Sequence, residues 1–213
     1  MTIARRSLLA LLLSPLALGG CSAAITGGGD PPRLFTVNPR SGFTGDLPRV
    51  DWNLEIPVPS APQGLNTQRI ALRRSPVTLE YFANVTWTDA APELIQTALV
   101  QTFENSARIA GVGRDSTRFR SDYILATELR DLQADYDNGA GPPQVTVRIV
   151  ARLIRLPDRA IVGGQVFTHA VRADGTAIDR IALAFDEAVG QACRQIVEWT
   201  LRAAGHTHRL ARP

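Results

Sequence analysis

Val145-Thr146-Val147-Arg148-Ile149-Val150-Ala151-Arg152-Leu153-Ile154 is the stretch from which the fold can be read. Val145, Val147, Ile149, Ala151 and Leu153 fall on every second position, and successive side chains of a strand point to opposite faces. One face is therefore made for a core, while the other carries Arg148 and Arg152. Pro157-Asp158-Arg159 breaks the run, and a second one follows from Ile161 to about Val171. Two such runs joined by a short turn predict an antiparallel hairpin. Gly163-Gly164 inside the second run predicts a bulge or a close approach to the backbone.

After the hairpin, Asp174-Gly175 reads as a turn and a long helix follows from about Ile178 to Ala204. Phe185, Ala188, Val189, Ala192, Cys193, Ile196 and Thr200 recur with the helical period and form its apolar stripe. Gly205 predicts the helix end, which leaves 205–213 as a disordered tail. Cys193 sits on the stripe and reads as a small buried hydrophobe, not a reactive thiol.

Before the hairpin, Tyr123 to Leu129 is a strand that reaches toward Leu132, followed by a polar loop. A first helix opens near Trp87, with Asp89 as its N-terminal cap and Pro92 in its first turn. Its stripe is Leu94, Ile95, Ala98, Leu99 and Phe103, and it ends at Glu104-Asn105-Ser106. Earlier still, Leu34–Val37, Asp51–Val58, Arg69–Leu72 and Val77–Phe82 read as short strands, with Arg73-Arg74-Ser75-Pro76 as the last turn. Pro57 and Pro59 cannot donate to a ladder, which places the end of the Asp51–Val58 strand at a sheet edge open to a neighbour's strand. Strands, a helix, more strands and a final helix give an α+β fold. It is a single domain with a mainly antiparallel or mixed β-sheet and two helices packed on it.

The start of the chain has a different logic. Arg5 and Arg6 precede an apolar run, Leu8 to Leu18, and Gly19-Gly20-Cys21 closes it. A short basic region, an apolar core and small residues are the parts of a secretory leader, and the run is too short for a bilayer span of about 20 residues. Leu18-Gly19-Gly20-Cys21 resembles a bacterial lipobox. That resemblance implies cleavage after residue 20 and acylation of Cys21 on its nucleophilic sulfur. Two or more acyl chains, at about 0.8 kcal/mol per buried methylene, hold a protein stably on a membrane. Ser22, in place of an Asp, points by analogy with lipoproteins to the outer membrane. Arg5-Arg6 also resembles a weak twin-arginine signal, although the general secretory route is the simpler reading. The expected organisation is a signal peptide over 1–20, a lipidated flexible tether over 21–32, a folded domain over 33–204 and the tail. Three glycines make the tether pliable and Pro31-Pro32 stiffen its end; ten extended residues reach about 35 Å.

Composition narrows the function classes. The 213 residues are 45% apolar and 20% charged, ordinary for a globular domain. All 23 basic residues are arginine, and the formal net charge of +3 falls by two when Arg5 and Arg6 leave. So small an excess does not suit a nucleic-acid binder. With Cys21 acylated, Cys193 has no disulfide partner.

Sites for chemistry are sparse. There is no Gly-x-Ser-x-Gly, no P-loop and no dinucleotide glycine fingerprint. His206 and His208 lie two apart near the terminus, and His169 lies mid-strand, where a surface or hydrogen-bonded role is the default. Asp131, Asp135 and Asp137 have a calcium-like flavour but lack the spaced Gly and closing Glu of an EF-hand. Arg114, Arg118 and Arg120 form a basic group that could face an anion, although exposed arginines commonly face only water. No catalytic, cofactor or metal site is assigned.

Several landmarks together resemble the ABC-type transport auxiliary lipoproteins of Gram-negative bacteria, the PqiC-like family. They are the lipobox at Cys21, the early aromatic strand ending in Pro39, Arg69-Ile70 through Leu79-Glu80-Tyr81-Phe82, Trp87 with Pro92-Glu93-Leu94, Asp122-Tyr123-Ile124-Leu125, the hairpin from Val147 to Phe167, and the last helix near Trp199. The likeness covers roughly residues 33–203. It implies a non-catalytic accessory, anchored in the outer membrane and facing the periplasm, that works with an ABC ATPase, a permease and a periplasmic protein with a mammalian-cell-entry (MCE) domain. Such systems move phospholipids or other hydrophobic molecules across the envelope. It implies no catalytic residue, and only Cys21 carries over as a defined position. A homo-oligomer would fit by analogy with the MCE rings. The alternative is a ligand-binding or regulatory envelope lipoprotein unconnected to an ABC transporter.

Overall fold

A computed structural model describes residues 31–43, 45–136, 141–156 and 158–210, with side chains to residue 204. Eight strands and two helices belong to one unit. In chain order they are β1 (Arg33–Phe35), β2 (Asn53–Ile56), β3 (Arg69–Ser75), β4 (Thr78–Trp87), α1 (Ala91–Ser106), β5 (Gly111–Arg114), β6 (Tyr123–Asp135), β7 (Gln144–Arg155), β8 (Ala160–Arg172) and α2 (Ile178–Leu210). All eight strands join one mixed sheet, and the fold is α+β.

The hairpin forms as its period of two requires. β7 pairs antiparallel with β8 from Gln144↔Arg172 to Arg155↔Ala160 and with β6 along nearly its whole length. Val145, Val147, Ile149, Ala151 and Leu153 are fully buried. The register shifts beside Gly163, and a Cβ there would lie 3.2 Å from Trp199 Cζ2. Gly163 thus serves both the bulge and the close approach, while Gly164 has only ordinary contacts.

The other edge of β6 is used twice. β2 runs parallel to it at Leu54↔Tyr123 and Glu55↔Ile124, and β3 runs parallel at Ala71↔Gln133 through Arg73↔Asp135. Between them, Ser60 bridges β6, with its N–H donating to Thr127 O at 3.0 Å and its carbonyl accepting from Leu129 N–H at 2.8 Å. β2 continues outward to β5, and β3 to β4 and then β1. The expected sheet edge at Pro57 and Pro59 is therefore wrong. β2 has a strand on each side, and the prolines lie in the short connection between β2 and Ser60, where no ladder bond is needed.

Other boundaries moved for tertiary reasons. Arg73 and Arg74 belong to β3, because Arg73 pairs with Asp135 of β6 in register and by an ion pair of 2.7 Å; the turn is at Pro76-Val77. Asp89 does not cap α1. The N-cap is Ala90, without a side-chain bond, and the Ala91 N–H finds the Thr67 carbonyl at 3.1 Å. The β5 strand was not expected at all. α2 passes through Gly205, where its end was expected, to Leu210. A glycine inside a helix costs about 1 kcal/mol relative to Ala, which raises the cost of continuing without forbidding it.

Both helices bury their stripes on one face of the sheet. Ile181, Phe185, Ala188, Val189, Ala192, Cys193 and Ile196 of α2 are buried, and Trp87 meets Phe185 edge to face at 5.2 Å. Gln96 of α1 is buried and donates to Ile56 O at 2.8 Å, which ties α1 to the end of β2. Among the described residues no helix is long and apolar enough to cross a membrane.

Candidate interaction surfaces

The lipobox, Cys21, the leader, most of the tether and Asp137 lie outside the described residues. Asp131 and Asp135 are strand residues, not loop ligands. Asp131 pairs with Arg148 at 3.0 Å, and Asp135 holds Arg73 and accepts from Thr146 Oγ1 at 2.6 Å. Both carboxylates are already neutralised by neighbours, which removes the calcium-like reading. Among the described residues no three His, Cys, Asp or Glu side chains gather to hold a metal ion.

His169 is hydrogen-bonded across to α2, with Nδ1 3.1 Å from Gln191 Oε1. His206 and His208 lie on the last turns of α2 by backbone. Burial pushes the Cys193 thiol up to about 12, so it holds almost no thiolate near neutral pH.

The sheet face turned away from the helices is charged but self-neutralising. Arg130 lies 3.0 Å from Glu128, Arg152 lies 3.8 Å from the same carboxylate, and Arg148 meets Asp131. The Arg130 hydrogen bond, then the nearby arginine charges, hold the Glu128 carboxyl below its usual range. A face whose charges satisfy each other offers little to a ligand of one sign.

Among the described residues, grooves open on the surface at two places. One of about 480 Å³ lies between β8 and the C-terminal half of α2, over Phe167 and Trp199, whose rings meet edge to face at 5.8 Å. The other, about 240 Å³, lies under the β3–β4 turn beside Pro62, Leu65, Val77 and Leu79. Val77 at that turn is 91% exposed. Both are open to solvent, a geometry that suits surface contacts better than enclosure of a ligand.

A further surface is built around β5, where the sheet ends. Asn53 of β2 sits opposite Gly111 and donates from Nδ2 to Arg120 O at 3.2 Å, which draws the loop before β6 against this edge. Phe119 of that loop lies over Gly113, where a Cβ would come within 2.8 Å of its ring. At the near end of the strand, Val50 N–H donates to Arg108 O at 2.8 Å and Arg49 reaches Ala107 O at 3.5 Å. At the far end, Arg114 donates to Thr97 of α1 at 2.9 Å. The suspected group Arg114, Arg118 and Arg120 is thus brought to one edge, and the fold adds Arg49 and Arg108. Those two come from distant segments, and no local signal in the sequence links them to the first three.

The model for the family described as "ABC-type transport auxiliary lipoprotein component" matches residues 34–197, from β1 past the middle of α2. An uncharacterized protein of Bradyrhizobium diazoefficiens is 28% identical over 182 residues, 84% of this chain. The match spans 48% of that relative's length. A crystal structure of a Xanthomonas campestris protein superposes with a TM-score of 0.78 at 29% identity, over 83% of this chain and 98% of that one. A second solved structure, of an uncharacterized protein, gives 0.61 at 14% identity over 79% and 97% and supports the fold alone.

Proposed function

Because the chain belongs to the family of ABC-type transport auxiliary lipoprotein components, we propose that it is a non-catalytic, lipid-anchored accessory of a transport system that moves phospholipids or other hydrophobic molecules across the envelope. Cys21 carries the acyl anchor, and the domain stands on its tether at the outer membrane, facing the periplasm. Its partners are an MCE-domain periplasmic protein and, through it, the ABC permease and ATPase. The observation that carries this reading is the family match across the whole sheet and most of α2. The lipobox residues Leu18 to Cys21 supply the anchor. A tethered domain gains a high effective concentration near a partner in the same envelope, so weak contacts are enough. The two open grooves support docking over carriage of cargo inside the domain.

The test is a pull-down of the membrane-extracted chain, with mass spectrometry of proteins and lipids. Recovery of an MCE protein with its ABC components is expected. Cys21→Ala should move the chain from the membrane fraction to the soluble one and lower that recovery. An intact, abundant acylated chain that brings down no transport component would overturn the reading and favour a ligand-binding or regulatory lipoprotein.

A further inference from the structure

We propose that the β5 edge is the docking site for an extended, acidic segment of a partner protein, which adds to the sheet as a further strand. The inference rests on the reading of the chain as a docking accessory and names the surface and the chemistry of its partner.

Charge marks this edge. Ten arginines of the described residues are held by a carboxylate: Arg33, Arg40, Arg73, Arg74, Arg130, Arg148, Arg152, Arg155, Arg180 and Arg202. Among the described residues Arg49, Arg108, Arg114, Arg118 and Arg120 pair with no carboxylate; Arg69, Arg159 and Arg194 also lack one but lie in other segments, so this edge is where such arginines gather. Two nearby carboxylates are engaged within the chain: Asp122 accepts from the Asn53 N–H at 2.8 Å and Glu55 from Ser121 Oγ at 3.1 Å. Asp115, next to Arg114, forms no ion pair with any of the five. Guanidinium groups left without a carboxylate are the natural complement of one supplied by a partner, in paired and directional hydrogen bonds.

Backbone marks it too. β5 pairs with β2 on one side, and among the described residues no strand takes the other. An extended peptide can pair with such an edge through main-chain bonds, while its side chains reach the flanking groups. A four-residue strand is a short template, so the arginines at both of its ends have to supply much of the selectivity.

Position also separates this edge from the point where the chain enters the sheet. β2 meets β6 at residues 123–124, and β3 meets it at 133–135. Ten residues of strand at about 3.3 Å each set the two sub-sheets some 30 Å apart along β6. The chain joins the sheet through β1, on the β3 side. The arginine edge is therefore toward the opposite end of β6 from β1.

The experiment uses the full acylated chain in detergent micelles and a fluorescent dodecapeptide of alternating Glu and Val, with a Lys-Val peptide as control. Binding of the Glu-Val peptide at least tenfold tighter than the control is expected, weakening with salt. The combined Arg114→Glu, Arg118→Glu and Arg120→Glu chain should lose that preference, while Arg159→Glu, on the β7–β8 turn, keeps it. Amide exchange at residues 111–114 should slow when the peptide binds. Circular dichroism checks the variant's fold, and the corresponding Arg→Gln set replaces it if it does not fold. Equal binding of the two peptides, or binding unchanged by charge reversal, overturns the proposal. So does arginine-dependent binding to phosphatidylcholine–phosphatidylglycerol vesicles over phosphatidylcholine alone, without peptide binding, since that would assign the edge to a lipid surface. In the pull-down, a charge-reversed chain that still recovers the transport components defeats this inference alone. A wild-type chain that recovers none defeats the functional reading itself.

Discussion

Arg40 lies directly across Gly190, where a Cβ would sit 1.9 Å from Arg40 Nε. The missing side chain lets the guanidinium reach along α2 to Asp186 Oδ2 at 3.2 Å, Asp186 O at 2.8 Å and Glu187 Oε2 at 2.9 Å. Arg40 also binds α1, with its N–H on Thr102 Oγ1 at 3.1 Å and its carbonyl accepting from Asn105 at 3.1 Å. The segment after β1 is a strap over both helices, fastened at one glycine.

Gly190→Ala weighs two effects. Helix propensity alone favours Ala by about 1 kcal/mol. Expelling a mostly buried arginine from charged hydrogen bonds costs about 1.5–3 kcal/mol each where the bond is lost outright. The second effect wins, and a net loss of about 1–2 kcal/mol is expected in denaturant unfolding. Adding Arg40→Ala should cost less in that background than alone. A stabilised Gly190→Ala chain would show that the Arg40 guanidinium contacts contribute nothing.

Gln96→Leu keeps the size of the side chain but leaves the Ile56 carbonyl without its buried donor. About 1–3 kcal/mol should be lost. An unchanged unfolding midpoint would mean that water replaces the amide.

Cys193 should be silent to thiol reagents in the native acylated chain and react once per chain in denaturant; two reactive thiols would mean an unmodified Cys21. Its linkage has a definite sign. The folded thiol keeps its proton to about 12 and the unfolded one to the ordinary 9.0. The unfolded state thus releases the proton first, so the stabilisation is present below 9.0 and declines as pH rises toward 12. Burial raises Tyr123 as well, so Cys193→Ala, which should flatten the decline, isolates the thiol's share.

Glu128 and Asp158 act at the acid end. Hydrogen bonds from Arg130 and Arg155 hold them below their ordinary 4.5 and 3.8. Their stabilisation is present above those values and is lost as pH falls through the lower folded ones. Glu128→Gln should give a shallower acid limb in a pH-dependent melting series; an identical limb would show that solvent screens the pair completely.

What the sequence determined by itself is what depends on near neighbours. The period of two in Val145 to Leu153 and the helical stripe from Phe185 to Thr200 state which face is buried without reference to the rest of the chain. The mixed α+β order and the glycine pair beside Trp199 were legible for the same reason. Only the tertiary structure decided that β6 carries two parallel strands on one edge. That choice put β2 inside the sheet despite Pro57 and supplied Thr67 as the cap that Asp89 was expected to be. Parallel pairing joins segments far apart in sequence, and no local pattern encodes which segments meet. The strap of Arg40 on Gly190 and the gathering of Arg49 and Arg108 beside Arg114, Arg118 and Arg120 have that origin. Each depends on where distant backbone comes to rest, which the sequence specifies through the whole fold and at no single stretch.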